Sequence, residues 1–119
     1  MMQSNILAQV ERLLEEKKFN INMDKFMEFL RIVKDNYIYP DAVQRYTKDK
    51  IVDIYEVFEF LSEKGIMEQR LVVYCSNCNK FTGDYYKTFY DLPKEVHCPH
   101  NDCVITDVVK NAIVVYKEK

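Results

Sequence analysis

The sequence predicts an α+β chain, with helices up to about residue 64 and antiparallel β-strands beyond residue 70. Three observations carry that expectation. Apolar residues recur at helical spacing through residues 4–64. Past residue 70 the pattern turns to short runs rich in Val, Thr, Tyr and Phe. All four cysteines fall between residues 75 and 103, inside that β-rich stretch.

Residues 4–18 read as a first helix, with Ser4 able to cap it and Ile6, Leu7, Val10, Leu13 and Leu14 on one stripe. That stripe faces either the chain's own core or a second copy, so residues 4–18 offer a route to a homo-oligomer. Residues 24–36 follow, capped near Asn22 or Asp24. Phe26, Met27, Leu30 and Val33 share a face that Phe29 and Ile32 widen. Pro40 then opens a short helix over 41–46, with Ala42, Val43 and Tyr46 inward. The fourth helix, 51–64, places Ile51, Ile54, Phe58 and Leu61 at i, i+3, i+7 and i+10, with Asp49 available as its cap and Gly65 as its left-handed stop. Strands are expected at 71–74, 81–89, 104–105 and 112–116. A soft boundary near residue 70 divides the chain into an N-terminal helix (1–20), a helical domain (21–70) and a β domain (71–119).

At 119 residues and 48% hydrophobic, the chain can bury a core as one domain or as two small ones. Only 2 glycines and 3 prolines occur, which argues against long flexible linkers. The net charge of -2 lacks the basic excess by which free-standing nucleic-acid binders neutralise phosphates. No apolar run reaches the roughly 18–20 residues of a membrane span. The opening Met-Met-Gln-Ser-Asn-Ile-Leu has neither the basic start nor the long apolar core of a secretory signal. The cytoplasm is the default expectation, and in that reducing compartment clustered cysteines more often hold metal than form disulfides.

The cysteines form two pairs, Cys75-x2-Cys78 and Cys98-x4-Cys103. Each short pair can fold as a knuckle, a tight turn that aims two thiolates at one point. A hairpin between them brings the knuckles together into a tetrahedral site, which zinc accepts at about 2.3 Å per sulfur. One structural zinc ion held by Cys75, Cys78, Cys98 and Cys103 in a ribbon is the expected centre. Iron could occupy four thiolates in a rubredoxin-like manner, but nothing in the sequence calls for redox work. The second pair is longer than the usual knuckle, so His100 or the nearby His97 could replace a cysteine. Four protein thiolates leave no open position for an activated water. No nucleophile–base pairing, phosphate loop or HExxH motif occurs, and Asp84, Asp91 and Asp102 read as turn residues, so no enzyme is expected.

Three helices followed by a β-strand is the order of a winged helix-turn-helix. The run from Ile38-Tyr39-Pro40-Asp41-Ala42 to Phe58-Glu59-Phe60-Leu61-Ser62-Glu63-Lys64-Gly65-Ile66 resembles such domains, and its passage into Cys75-Ser76-Asn77-Cys78 is similar to a winged helix fused to a zinc ribbon. The arrangement resembles the large subunit of general transcription factor E, and small accessory proteins of prokaryotic operons, antiviral defence operons among them. The resemblance covers roughly residues 22–119. It implies an N-terminal helix, a winged helix and a C-terminal antiparallel zinc ribbon, working as an accessory subunit on a larger partner.

A recognition helix for DNA presents Arg, Lys, Asn or Gln to base edges. Residues 51–64 instead carry Asp53, Glu56, Glu59 and Glu63 against Lys64, a net of -3. The expected partner is therefore a larger protein, met through Asp53, Glu56 and Glu59 and through Tyr85 and Tyr86 of the ribbon. Tyr85 and Tyr86 belong to an aromatic group with Phe81, Phe89 and Tyr90 that could instead stack nucleic-acid bases or pack internally. A winged-helix DNA-binding transcription regulator is the alternative.

Overall fold

A computed structural model describes residues 4–33, 36–100 and 102–119 and has a mixed α+β architecture. In chain order the elements are α1 (Ser4–Glu16), α2 (Met23–Ile32), β1 (Tyr37–Ile38), α3 (Pro40–Thr47), α4 (Ile51–Glu63), β2 (Met67–Cys75) and β3 (Lys80–Tyr86). A 3-10 turn (Phe89–Asp91), β4 (Val96–His97), β5 (Val104–Ile105) and β6 (Ala112–Glu118) complete the order. The strands form one sheet in the order β1-β6-β2-β3 and a second of β4 and β5. Two units result, Met1–Glu68 with Tyr116–Lys119, and Gln69–Val115. The chain leaves the first unit within β2 and re-enters it within β6.

In the first unit the apolar stripe of α1 turns inward: Val10 and Leu14 are fully buried, and Ile6, Leu7 and Leu13 half-buried. The stripe is thus covered by its own chain at Val10 and Leu14 and partly open at Ile6, Leu7 and Leu13. Glu11 reaches Arg31 of α2 at 3.7 Å. The helix ends at Glu16, short of the expected residue 18. Lys17 then lies over the rings of Phe19 and Phe60, 5.4 and 5.3 Å from their centroids.

Asn22 caps α2, its side-chain oxygen accepting the Lys25 N–H at 3.2 Å, while Asp24 sits inside the first turn. This helix closes at Ile32 rather than residue 36. Val33 is already extended, and Tyr37 and Ile38 must be extended to pair with Lys117 and Tyr116 of β6. Residues 34–35, inside the expected helix, lie outside the described residues. Ile32 is 54% exposed, so it does not widen the buried face as expected.

Pro40 starts α3 at the position where its missing N–H costs nothing, and Val43 and Thr47 are its buried side. Asp49 does not cap α4. Its carboxylate accepts the Asn22 N–H at 2.8 Å, and Lys50 occupies the cap position without a side-chain bond. Within α4, Ile54, Val57, Phe58 and Leu61 are fully buried, whereas Ile51 is 38% exposed. Phe58 stacks on Tyr116 of β6 at 4.8 Å and 12°, and Phe26 of α2 meets Phe58 at 5.5 Å. Burial pushes the Tyr116 hydroxyl up to about 12, with the Glu59 carboxylate adding to the shift.

Gly65 ends α4 in the left-handed region, φ 76°. The Ile66 N–H donates to the Leu61 carbonyl at 3.1 Å and the Gly65 N–H to Ser62 at 3.0 Å, the paired bonds of a Schellman stop. Among the described residues no helix is long and apolar enough to cross a membrane. Nothing lies within 4 Å of where a Cβ on Gly65 would stand, so only backbone strain opposes a side chain there. Gly65→Ala is expected to destabilise the chain by about 1–2 kcal/mol, read as a lower urea midpoint at unchanged slope.

Candidate metal centre

The second unit builds its site from two hairpins. In the first, β2 runs into β3 through a four-residue turn, with Tyr74 opposite Phe81 and Cys75 opposite Lys80. Asn79 accommodates the tight return with φ 54°, a conformation asparagine tolerates better than most residues. Farther along, β2 advances two residues from Val72 to Tyr74 while β3 advances four, from Tyr85 to Phe81. Gly83, at φ 93°, lies in that irregularity, and buried Thr82 is satisfied by donating to the Val73 carbonyl at 3.0 Å. In the second hairpin Val96 pairs with Ile105 and His97 with Val104. The Cys98 N–H donates to the Cys103 carbonyl at 2.9 Å, closing the loop between them. Asn101 of this loop lies outside the described residues.

These two turns bring Cys75, Cys78 and Cys98 together, every sulfur within 4.8 Å of the others. Cys75 and Cys98 are buried and Cys78 is half-buried. The sulfurs sit on an apolar cluster of Val73, Val96, Ile105 and Val108, with Tyr86, Leu92 and Cys103 packed against it. None of the four cysteines forms a disulfide. Cys103 stands outside the group of three, half-buried, its sulfur accepting from the Asn77 side-chain amide at 3.4 Å.

The donor set fits a soft divalent ion. Tetrahedral ligation at about 2.3 Å per sulfur sets sulfurs about 3.8 Å apart. Cys78 and Cys98 stand 3.0 Å apart, so an ion would spread them by only about 0.8 Å. The protonation pattern also suits ligation. Hydrogen bonds from the Cys78 N–H and thiol, helped by the Asn77 N–H and the Cys98 thiol, hold Cys75 down at about 7. The Cys78 thiol is pushed up to about 12, first by its hydrogen bond with Cys98, then by that with Cys75 and by burial. One thiolate thus forms readily while its neighbour keeps a proton that a cation would displace.

Neither histidine joins the group found among the described residues. His97 is 77% exposed at its side chain and faces Glu95 at 3.9 Å, and His100 is exposed. Sequence reasoning passed over Asn77, although its place between two paired cysteines was the available signal.

The expected partner-binding residues fall in two places. On α4, Glu56, Glu59 and Glu63 are exposed and Asp53 is half-buried, with Val52 65% exposed beside them. On β3, Tyr85 and Tyr86 are both half-buried, and Tyr86 packs against the cysteine cluster. Phe81 meets Tyr74 edge-on at 5.1 Å. Phe89 is half exposed, and Tyr90 is fully exposed at 99%. Asp91 is a turn residue, its carboxylate accepting from both the N–H and the hydroxyl of Thr88.

Comparison with protein-family models, with curated proteins and with solved structures found no match for this chain.

Because Cys75 is held below the usual thiol value, its thiolate is present above about pH 7 and is lost as pH falls through that value. Cys78, held above it, retains its proton across neutral pH. Zinc binding in slightly alkaline buffer is therefore expected to release protons, that of Cys78 among them, and acidification to weaken metal binding as protons compete for the sulfurs. Calorimetry in buffers of different ionisation enthalpy reads the first, and a zinc-sensitive dye the second. Heat independent of the buffer would contradict the assignment.

Proposed function

We propose that the chain is a non-enzymatic zinc-binding adaptor, which presents a metal-stapled surface to a larger protein. The observation that carries the reading is the convergence of Cys75, Cys78 and Cys98 from two separate hairpin turns. With Cys103 as fourth ligand, the site is a closed four-thiolate centre for one structural zinc, which leaves no coordination position for reactive water. In this reading the ion contributes folding free energy to a unit with only a small apolar cluster of its own.

The partner surface in this reading is the exposed side of α4. Glu56, Glu59 and Glu63 line it, so a basic protein surface suits it and phosphate does not. Residues 21–70 are read as a winged helix and the cysteine unit as its zinc ribbon. The order α2-β1-α3-α4-β2 and the antiparallel pairing of β1 with β6 support this, with the cysteine turns lying in the sequence between β2 and β6. By its resemblance to accessory proteins of prokaryotic operons, the chain would work inside the cell within a larger complex, a defence complex among the candidates.

A DNA-binding regulator is the second reading. It is favoured by the same helix order and by Lys48 and Lys50, both exposed just before α4.

Purified chain is expected to carry one zinc, lost in Cys75→Ser. Tagged chain captured from its host is expected to retain a protein after nuclease treatment. The double variant Glu56→Lys/Glu59→Lys should lower that capture at least about tenfold, roughly 1.4 kcal/mol. Recovery of nucleic acid alone, with the double variant binding it more tightly and with a salt-dependent slope, would decide for the regulator instead.

A further inference from the structure

We propose that Asn77 is a positioning residue for the metal centre, its side-chain amide tying the first cysteine turn to Cys103 and holding that sulfur as the fourth ligand. The proposal rests on the zinc reading above and adds the device that completes the site.

Three of the sulfurs already crowd together, whereas Cys103 stands outside that group. The second loop spans four residues between its cysteines, so its own backbone constrains Cys103 less tightly than the two-residue turn constrains Cys78. The bond from the Cys98 N–H to the Cys103 carbonyl closes the second loop through its backbone. The Asn77 Nδ2 donates to the Cys103 sulfur at 3.4 Å, from the middle of the opposite turn. Asn77 is exposed, so core packing does not account for its place.

The chemistry gives that bond a purpose. Four thiolates around a divalent cation carry excess negative charge, and an N–H donated to one sulfur withdraws part of it. Hydrogen-bond partners of metal ligands orient those ligands, and their loss commonly costs about 10- to 100-fold in metal affinity. An amide supplies the donor, whereas the isosteric carboxylate would set charge against charge.

The test uses the full chain loaded with zinc, with Asn77→Leu and Asn77→Asp beside the wild type. Zinc affinity is measured by competition with a chromophoric chelator, ligand number by the cobalt(II) absorption spectrum, and alkylation of each cysteine by mass spectrometry. Both variants are expected to lose about 10- to 100-fold in affinity, Asn77→Asp the more. Cys103 should be alkylated ahead of Cys75, Cys78 and Cys98, which stay protected. A wild type with a four-thiolate cobalt spectrum and variants equal to it in affinity and protection would overturn the role of Asn77 alone. All four cysteines exposed together in the variants would also overturn it, since that marks unfolding rather than a misplaced ligand. A wild type that binds no metal would bring down the zinc reading and this proposal with it.

Discussion

Sulfurs crowded as closely as those of Cys75, Cys78 and Cys98 cannot all carry charge unless something positive sits among them. Protons can do this, at the cost of leaving Cys78 a very weak acid. A soft cation does it better, because it takes the charge of every thiolate at once. The surrounding architecture follows from that constraint. Two hairpins aim their turns at one point, the valines and isoleucine pack with the cysteines, and the strands of the second hairpin are two residues each. A unit of this size has little apolar surface to offset its chain entropy.

Much of this organisation was legible in the residues. Helical spacing marked α1, α2 and α4, Pro40 marked the start of α3, and Gly65 marked where α4 stops. The misses have physical causes. The sequence reads as helical through residue 36, but Val33 is already extended, and Tyr37 and Ile38 pair with a strand distant in sequence. Asp49 looked like a cap for α4, yet the nearby Asn22 N–H made the stronger claim on its carboxylate. Ile51 and Ile32 have apolar side chains at the right spacing but lie at helix ends, where the stripe turns away from the core. Strand β4 is only two residues long, below what periodicity can reveal. The cysteine pairing was legible from spacing alone, whereas the amide of Asn77 became visible only when the two turns were set opposite each other.

The surfaces divide by chemistry. The buried side of α4 is as apolar as a core helix needs, and its outward side carries Glu56, Glu59 and Glu63 beside exposed Ile51 and Val52. Carboxylates so arranged keep a helix solvated and repel polyanions, while they steer a basic partner toward the same face. The aromatics of the cysteine unit are less uniform. Tyr86 packs against the cluster that holds the cysteines, whereas Tyr90 is exposed. Their clustering in the sequence therefore conceals two separate roles.

The ring stack between Phe58 and Tyr116 joins an early helix to the last strand. During synthesis α4 emerges long before Tyr116 does, so a nascent chain holds Phe58 without its lid until the whole cysteine unit has been translated. Contacts so distant in sequence form late and slowly. The helical unit must wait in an unfinished state until that strand arrives.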